Sequence, residues 1–441
     1  DFSVILDKEP YFQEKNVKRI IEERMTKEIL SYFEIVRQIA DEKSVNAYLV
    51  GGIVRDILLG IDNYDIDIVI EGNGVAFAKE FSKRVDGRIK THGRFGTSSV
   101  FLSSGFRIDF ATARAEFYES PAKLPVVFPG SLKRDLLRRD FSINALAVRL
   151  NGNPAYVLID YFGGQRDLKD KVIRVLHSLS FVEDPTRIFR ALRFETRLNF
   201  KIGKQTLALL KDSLSKGVMG RVSGKRILSE FILIFKEEKF RQILRRMEDL
   251  GVLKSISPYL KYDSYCEEIL NKVEKVKDWY EIAFTERKIE ALHLYLMGIF
   301  HKLDKDSLKV VSDRLSLPTA IRKKLRISIE AESIARKIEK AVKPSEIYSL
   351  LKDYDEELIL FIMALTERRS VIKKIKEYLS TYKKVKSIIT GNDLKNLGIE
   401  EGPIYSKILS EVHNAHIDGL VKTKEEEIKL ARQLYKKLIG K

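Results

Sequence analysis

The stretch from residue 48 to residue 70, YLVGGIVRDILLGIDNYDIDIVI, decides how the N-terminal part of this 441-residue chain is read. Tyr48 to Val50 are strand-forming, Gly51 and Gly52 follow, a helix starts at about Ile53, and a second strand carries Asp65 and Asp67. Two glycines where a strand turns into a helix allow close backbone approach and leave helix-start N–H groups unpaired, the local geometry of a phosphate site. On the second strand the period of two places Asp65 and Asp67 on one face, roughly 7 Å apart, and turns Ile66, Ile68 and Ile70 to the core. Adjacent ionised carboxylates repel unless a cation sits between them. Mg²⁺, a hard ion that takes oxygen ligands and phosphate partners, is the natural one.

Outward from this stretch, residues 45 to 175 alternate short apolar strands (AYLVGG, IDIVI, GTSSVFL, RIDFATA, VLIDYF) with helical segments such as GVAFAKEFSKRV. That texture predicts a compact mixed domain. Residues 117–134, with three prolines, read as a long loop inside it. Beyond 175 the strands disappear, and segments such as RIFRALRFETRLNF and RILSEFILIFKEEKFRQILRRMEDLGVL repeat apolar residues at three and four. An all-helical remainder is expected there. KRIIEERMTKEIL and SYFEIVRQIADEK predict helices that lead into the mixed domain.

Length alone predicts two or more domains and excludes a small binding module. With 32% charged residues and no long uncharged apolar run, no membrane span is expected. A single cysteine, Cys266, excludes an internal disulfide or thiolate cluster, and with no secretory pattern in DFSVILDKEP a reducing cytoplasm fits best. The net charge of +17 points to a polyanionic partner. Residues 1–170 hold 25 basic and 25 acidic side chains, so the whole excess lies in the 271 residues that follow. Within them 171–250 and 321–441 are basic and 251–320 is neutral. A Lys-rich solvated surface is the plain alternative.

The motif GGIVRD followed by DID resembles the first motif of the nucleotidyltransferase superfamily with a polymerase-β-like palm, and specifically that of the class II tRNA nucleotidyltransferases (CCA-adding enzymes) and bacterial poly(A) polymerases. LLRRDFSINALAV (136–148), DYFGGQRDL (160–168) and EDPTRIFRALRF (183–194) resemble the next three motifs in order, and GNDLKNLGIEEGPIYSKIL (391–409) a C-terminal segment, with Ser406 where Gly is expected. The resemblance implies an α+β fold: a nucleotidyltransferase head of mixed sheet with helices, then all-helical neck, body and tail. The corresponding boundaries are a helical lead-in at 1–45, the head at 46–170, a neck with the nucleotide-selecting helix at 171–250, a body at 251–320 and a tRNA-binding tail at 321–441. Members can carry N-terminal fusions, and the chain opens on Asp1, so a preceding region is compatible with it.

Carried over residue by residue, the resemblance implies catalytic roles for Asp65, Asp67 and Asp109, with Asp65 and Asp67 holding two Mg²⁺ ions. A salt bridge to Arg107 or Arg114 is the alternative for Asp109. It implies nucleotide contacts for Gly51, Gly52, Arg55, Arg139, Asp184, Arg187, Arg190 and Arg193. On a helix at 183–198, Asp184 and Arg187 stand three apart and are neighbours. A carboxylate only accepts hydrogen bonds and a guanidinium only donates them. Cytosine and adenine present an amino donor beside a ring-nitrogen acceptor, whereas uracil and guanine present the reverse, so such a pair accepts C and A without a template. The competing reading makes Asp184 a helix cap ahead of Pro185 and the arginines a solvated face.

The implied activity is CCA addition to the tRNA 3′ end from CTP and ATP, with the helical parts gripping the acceptor and T arms by phosphate contacts and shape. CC-only or A-only addition uses the same motifs, and poly(A) addition is a further alternative; GRIKTHGRFGTSSVFL resembles the CCA-adding pattern. A non-catalytic RNA-binding protein is the alternative from another class, and the intact Asp65 and Asp67 speak against it. His413 and His416 are the only histidines at ligand-like spacing, and no zinc is expected.

Overall fold

The computed structural model describes residues 15–92 and 96–439. Two compact units divide the chain, Asp1–Ile256 and Ser257–Lys441. In the first, the strands are β1 (Lys15–Asn16), β2 (Ala47–Val50), β3 (Ile66–Ile70), β4 (Arg88–His92), β5 (Thr97–Phe101), β6 (Arg107–Thr112), β7 (Arg114–Phe117), β8 (Val126–Pro129), β9 (Leu146–Arg149), β10 (Val157–Asp160), β11 (Val172–Ile173) and β12 (Lys201–Ile202). Eight of them form one sheet in the order β1-β10-β9-β2-β3-β6-β5-β4. Every pairing in it is antiparallel except β3 with β6, which run parallel.

The alternation read from IDIVI holds: Ile66, Ile68 and Ile70 are buried. Their face of the sheet is covered by the helices Lys27–Glu42 and Gly74–Arg84, with Phe77 and Phe81 packed 5.7 and 5.1 Å from the ring of Phe110. The opposite face is closed only over the β2 side, where Leu132 and Leu136 of the helix Leu132–Leu137 join Tyr48, Val50, Val69 and Ile159 in a core cluster. Asp67, Asp109 and the outer strands keep that face open.

Three expectations change. Residues 117–134 are not one long loop: β7 and β8 pair as a hairpin around a connection at 118–125, and the helix Leu132–Leu137 follows. Cross-strand pairing supplies the order that the prolines hide. The strands do not end at 175, since Lys201–Ile202 pairs in parallel with Val172–Ile173. The lead-in carries a short strand, β1, before its helices Lys18–Arg24 and Lys27–Glu42; Thr26 separates these, its hydroxyl accepting from the N–H of Ile29. The lead-in residues 1–14 lie outside the described residues.

The helices of 180–256 belong to the first unit, including Arg187–Arg197, Lys204–Ser215, Gly224–Phe235 and Phe240–Asp249. The second unit is helical throughout its described residues. At its C-terminal end Ile389, Leu394, Ile399, Ile408, Val412 and Ala431 form a core of their own. The buried carboxylate of Glu427 there accepts the N–H groups of Ile388 and Ile389, both at 2.8 Å, and meets the ring of His416. His413 bonds the carbonyl of Val385 at 2.9 Å. No described helix is long and apolar enough to cross a membrane.

Candidate active site

The parallel pairing of β3 with β6 makes Asp67 and Asp109 direct register partners. Asp65 lies just ahead of β3 and is largely exposed, its N–H held by Asn63 at 2.8 Å. Nη2 of Arg107 reaches both Asp65, at 3.2 Å, and Asp109, at 3.0 Å. The Arg107 bridge foreseen as the alternative for Asp109 is therefore present, yet Oδ1 of Asp109 stays buried with no hydrogen-bond partner. Burial, followed by the charge of Asp65, pushes the Asp67 carboxyl up to about 6 despite Arg139.

Among the described residues no three His, Cys, Asp or Glu side chains are gathered as a ready-made metal site. Asp65 and Asp109 are instead bridged by Arg107. The donor set nevertheless suits a divalent cation: hard carboxylate oxygens, one of them orphaned, and an acid whose ionisation its acidic neighbours oppose.

Gly51 has φ +83, and a Cβ there would stand 3.2 Å from Nη1 of Arg139 and 3.5 Å from Oδ2 of Asp67. Glycine thus keeps open a gap between the arginine and the carboxylate. The helix Gly52–Leu59 starts at that gap. Arg139 bonds the buried Asp135 at 3.1 Å through Nη2, while its Nε has no intramolecular partner. Arg55 is more committed than expected: it is buried, bonds both carboxylate oxygens of Asp56, and reaches Oδ1 of Asn144 at 2.7 Å. Asn144 in turn donates to Asp140 at 2.9 Å, and Asp140 accepts Nε of Arg190 at 2.7 Å. This chain of bonds ties the first motif to the fourth.

The fourth motif departs from the helical expectation. Asp184 is extended, with φ −134 and ψ 92, and the helix begins at Arg187. Pro185 explains this, because the residue before a proline is driven out of the α region. Oδ1 of Asp184 takes the N–H of Thr186 at 3.1 Å, its hydroxyl at 2.6 Å and Nη2 of Arg226 at 2.8 Å. Arg187 is buried and donates to Ser180 and to the carbonyl of Arg138, both at 2.7 Å. Arg193 pairs with Glu237 at 3.0 Å. Despite these engagements, Gly51, Gly52, Arg55, Asp65, Asp67, Arg139, Asp184, Arg187, Arg190 and Arg193 all line one cleft of about 550 Å³. That lies within the ~300–1,000 Å³ of a small-ligand site. Asp109 lines the adjoining hollow with Asp67, Ser99 and Arg139.

The third motif stands apart from the cleft. Asp160 accepts the N–H groups of Phe162, Gly164 and Gln165, starting the helix Gly164–Asp170, and Gly164 packs on the carbonyl of Ser142. Sequence reading missed Arg226, Asp135 and Asn144. Asp135 immediately precedes the second motif and Asn144 lies within it, both within five residues of Arg139, a local hint; Arg226 had none.

The family described as "Poly A polymerase head domain" matches residues 47–174, and that described as "Probable RNA and SrmB- binding site of polymerase A" matches 199–263. An A-adding tRNA nucleotidyltransferase of Geobacter sulfurreducens is 38% identical over 95% of this chain and 48% of its own length. One of Aquifex aeolicus is 40% identical over 78% of this chain and 41% of its own. The chain therefore spans about half the length of these curated relatives, whereas an A-adding enzyme of Halalkalibacterium halodurans, 29% identical, is covered over 97% of its length. Among solved structures, a CCA-adding enzyme in apo form II superposes with TM-score 0.82 at 37% identity, covering 95% of this chain and 99% of that one. The Thermotoga maritima CCA-adding enzyme complexed with tRNA gives 0.74 at 35%, over 95% and 98%. The head match spans the Gly-Gly turn and the carboxylate strands, and likeness at this identity runs through both units, so the chain belongs to the tRNA nucleotidyltransferase and poly(A) polymerase family.

Proposed function

We propose that this protein adds C and A residues to the 3′ end of tRNA from CTP and ATP, without a template and with release of pyrophosphate. The observation that carries the reading is the convergence of Gly51, Asp67, Arg139, Asp184 and Arg187 on one cleft. In this reading the triphosphate lies against the Gly51-Gly52 turn, where Arg139 presents Nη1 beside Gly51. Oδ2 of Asp184 accepts the amino group of C or A, and Arg187 donates to the adjacent ring nitrogen. A guanidinium has five N–H groups, and the bonds to Ser180 and Arg138 leave Arg187 donors for a base. Uracil and guanine would set an acceptor against the carboxylate and a donor against the guanidinium.

Asp65, Asp67 and Asp109 would hold divalent cations, Mg²⁺ in our reading, which supply activation of the 3′-hydroxyl and neutralisation of the leaving pyrophosphate. For that, Asp65 has to leave Arg107. The 171–250 helices would seat the base, and the basic 321–441 part would hold the acceptor and T arms of the tRNA; the cytoplasm is the compartment this substrate implies. The Thermotoga maritima complex with tRNA and solved CCA-adding enzymes with ATP and with CTP support this assignment of substrates.

A second reading, addition of A alone, is favoured by the names of the Geobacter and Halalkalibacterium relatives. One experiment separates the readings: tRNAs ending before CCA, after C and after CC are incubated with CTP, ATP or both and resolved to single nucleotides. Full addition extends all three to CCA. A-only addition extends only the CC-ended substrate, a long ladder with ATP means poly(A) addition, and no extension of any substrate overturns the transferase reading.

A further inference from the structure

Asp67 and Asp109 belong to a row that crosses four strands. Asp109 is the register partner of Ser99 on β5, and Ser99 that of Lys90 on the edge strand β4. Directly opposed residues share a face of the sheet, so Asp67, Asp109, Ser99 and Lys90 stand on the same side. The period of two adds Arg88 and His92 to that side of β4, and both are exposed, as is Lys90. Arg88 lies over the ring of its register partner Phe101, 5.3 Å from the centroid. Lys90 makes no ion pair among the described residues. Adjacent strands are ~4.8 Å apart, so Lys90 is about 10 Å across the sheet from Asp109.

Transfer by in-line displacement puts the attacking hydroxyl and the leaving pyrophosphate on opposite sides of the reacting phosphorus. The Gly51-Gly52 turn follows β2, on one side of the carboxylates, and the proposed triphosphate seat is there. The acceptor then has to arrive from the other side, across β6, β5 and β4. That face carries the hollow lined by Thr97, Ser99, Asp109 and Arg139, whereas the helices Lys27–Glu42 and Gly74–Arg84 cover the opposite face. Charges on an edge strand also discourage edge-to-edge pairing. That duty does not require all of them to share the face of the catalytic carboxylates.

We propose that the β4–β5 face is the track of the acceptor strand: Lys90 and Arg88 meet the phosphates of its last nucleotides and Ser99 lies beneath the strand as its 3′-hydroxyl reaches Asp109. The proposal rests on the reading of Asp67 and Asp109 as the transfer centre. The test uses the full chain with Arg88→Glu/Lys90→Glu, the single variant Lys90→Ala, and Lys83→Glu on the covering helix as a charge control. The double variant should weaken tRNA binding roughly tenfold at moderate salt and flatten the dependence of log K on log salt by about 1.4. Its melting temperature and KM for ATP should be unchanged, and Lys90→Ala should give a smaller effect of the same kind. An unaltered salt slope, or an equal loss in Lys83→Glu, overturns the track. If RNA binding is unaltered but the double variant becomes a dimer or captures extended peptides, the edge serves protein contacts instead. Asp67→Asn separates the two readings, since it should abolish transfer and keep tRNA affinity; retained transfer would remove the catalytic assignment whatever β4 does.

Discussion

Arg226 holds Asp184: one guanidinium nitrogen donates to Oδ1 of the carboxylate at 2.8 Å, and the other to the carbonyl of Ala122 at 3.0 Å. The N–H of Ala122 meets the carbonyl of Glu183 at 3.1 Å, so the tip of the β7–β8 hairpin, the residue before Asp184 and the helix Gly224–Phe235 close on one another. With Thr186 also on Oδ1, the second carboxylate oxygen is turned toward the cleft. Arg226→Met should release that orientation. A hydrogen bond to a charged group contributes about 1.5–3 kcal/mol, so discrimination of ATP over GTP, measured as a ratio of kcat/KM, should fall roughly 10- to 100-fold. Arg226→Lys, with a single nitrogen, should restore only part of it, whereas an unchanged ratio in both variants would show that Arg226 only braces the neck.

Asp140 links Arg55, through Asn144, to Arg190. Burial opposes its ionisation, but the Arg190 charge, the bonds from Asn144 and Arg190, and the N–H of Phe141 outweigh that and hold its pKa below the ordinary value. A depressed folded-state pKa means stability that is present above the unfolded pKa, near 3.9, and is lost as pH falls through the folded value. Asp140→Asn should therefore melt below the parent at pH 7, by about 2 kcal/mol. The gap should close as pH drops below about 4, and a gap that stays constant down to pH 2 would contradict the assignment.

Two glycines of the motifs should fail differently. Gly164→Ala drives a methyl against the carbonyl of Ser142, away from the cleft. It should cost about 1–3 kcal/mol of stability while leaving KM for ATP unchanged below the melting transition. Gly51→Ala is strained by φ +83 and fills the gap between Arg139 and Asp67. It should lose about 1–2 kcal/mol and also raise KM for ATP roughly tenfold through the blocked phosphate seat. Steady-state kinetics beside thermal melts distinguish the two.

Cys266 is buried, and burial pushes its thiol up to about 11. At pH 8 a soluble thiol reagent should modify it roughly a hundredfold more slowly in the native protein than in denaturant. Rapid native labelling would place it on the surface of the second unit.

What the sequence determined on its own is whatever local spacing controls. The Gly-Gly turn before a helix, the burial of Ile66, Ile68 and Ile70, and the switch from mixed to helical texture are properties of a few consecutive residues, because the strand period and the demands of helix starts act over short range. The β7–β8 hairpin escaped that reading, since its order comes from pairing across the turn. Asp184 shows both levels: its extended backbone was available from Pro185 in the next position, while its third hydrogen bond comes from Arg226, 42 residues further on. Only the tertiary structure decided that Asp67 stands beside Asp109, that Arg107 spans Asp65 and Asp109, and that Lys90 continues the row of the carboxylates. Strand order and register set these neighbours, and both are fixed by how the whole sheet packs on its covering helices, a cooperative choice that no single segment carries.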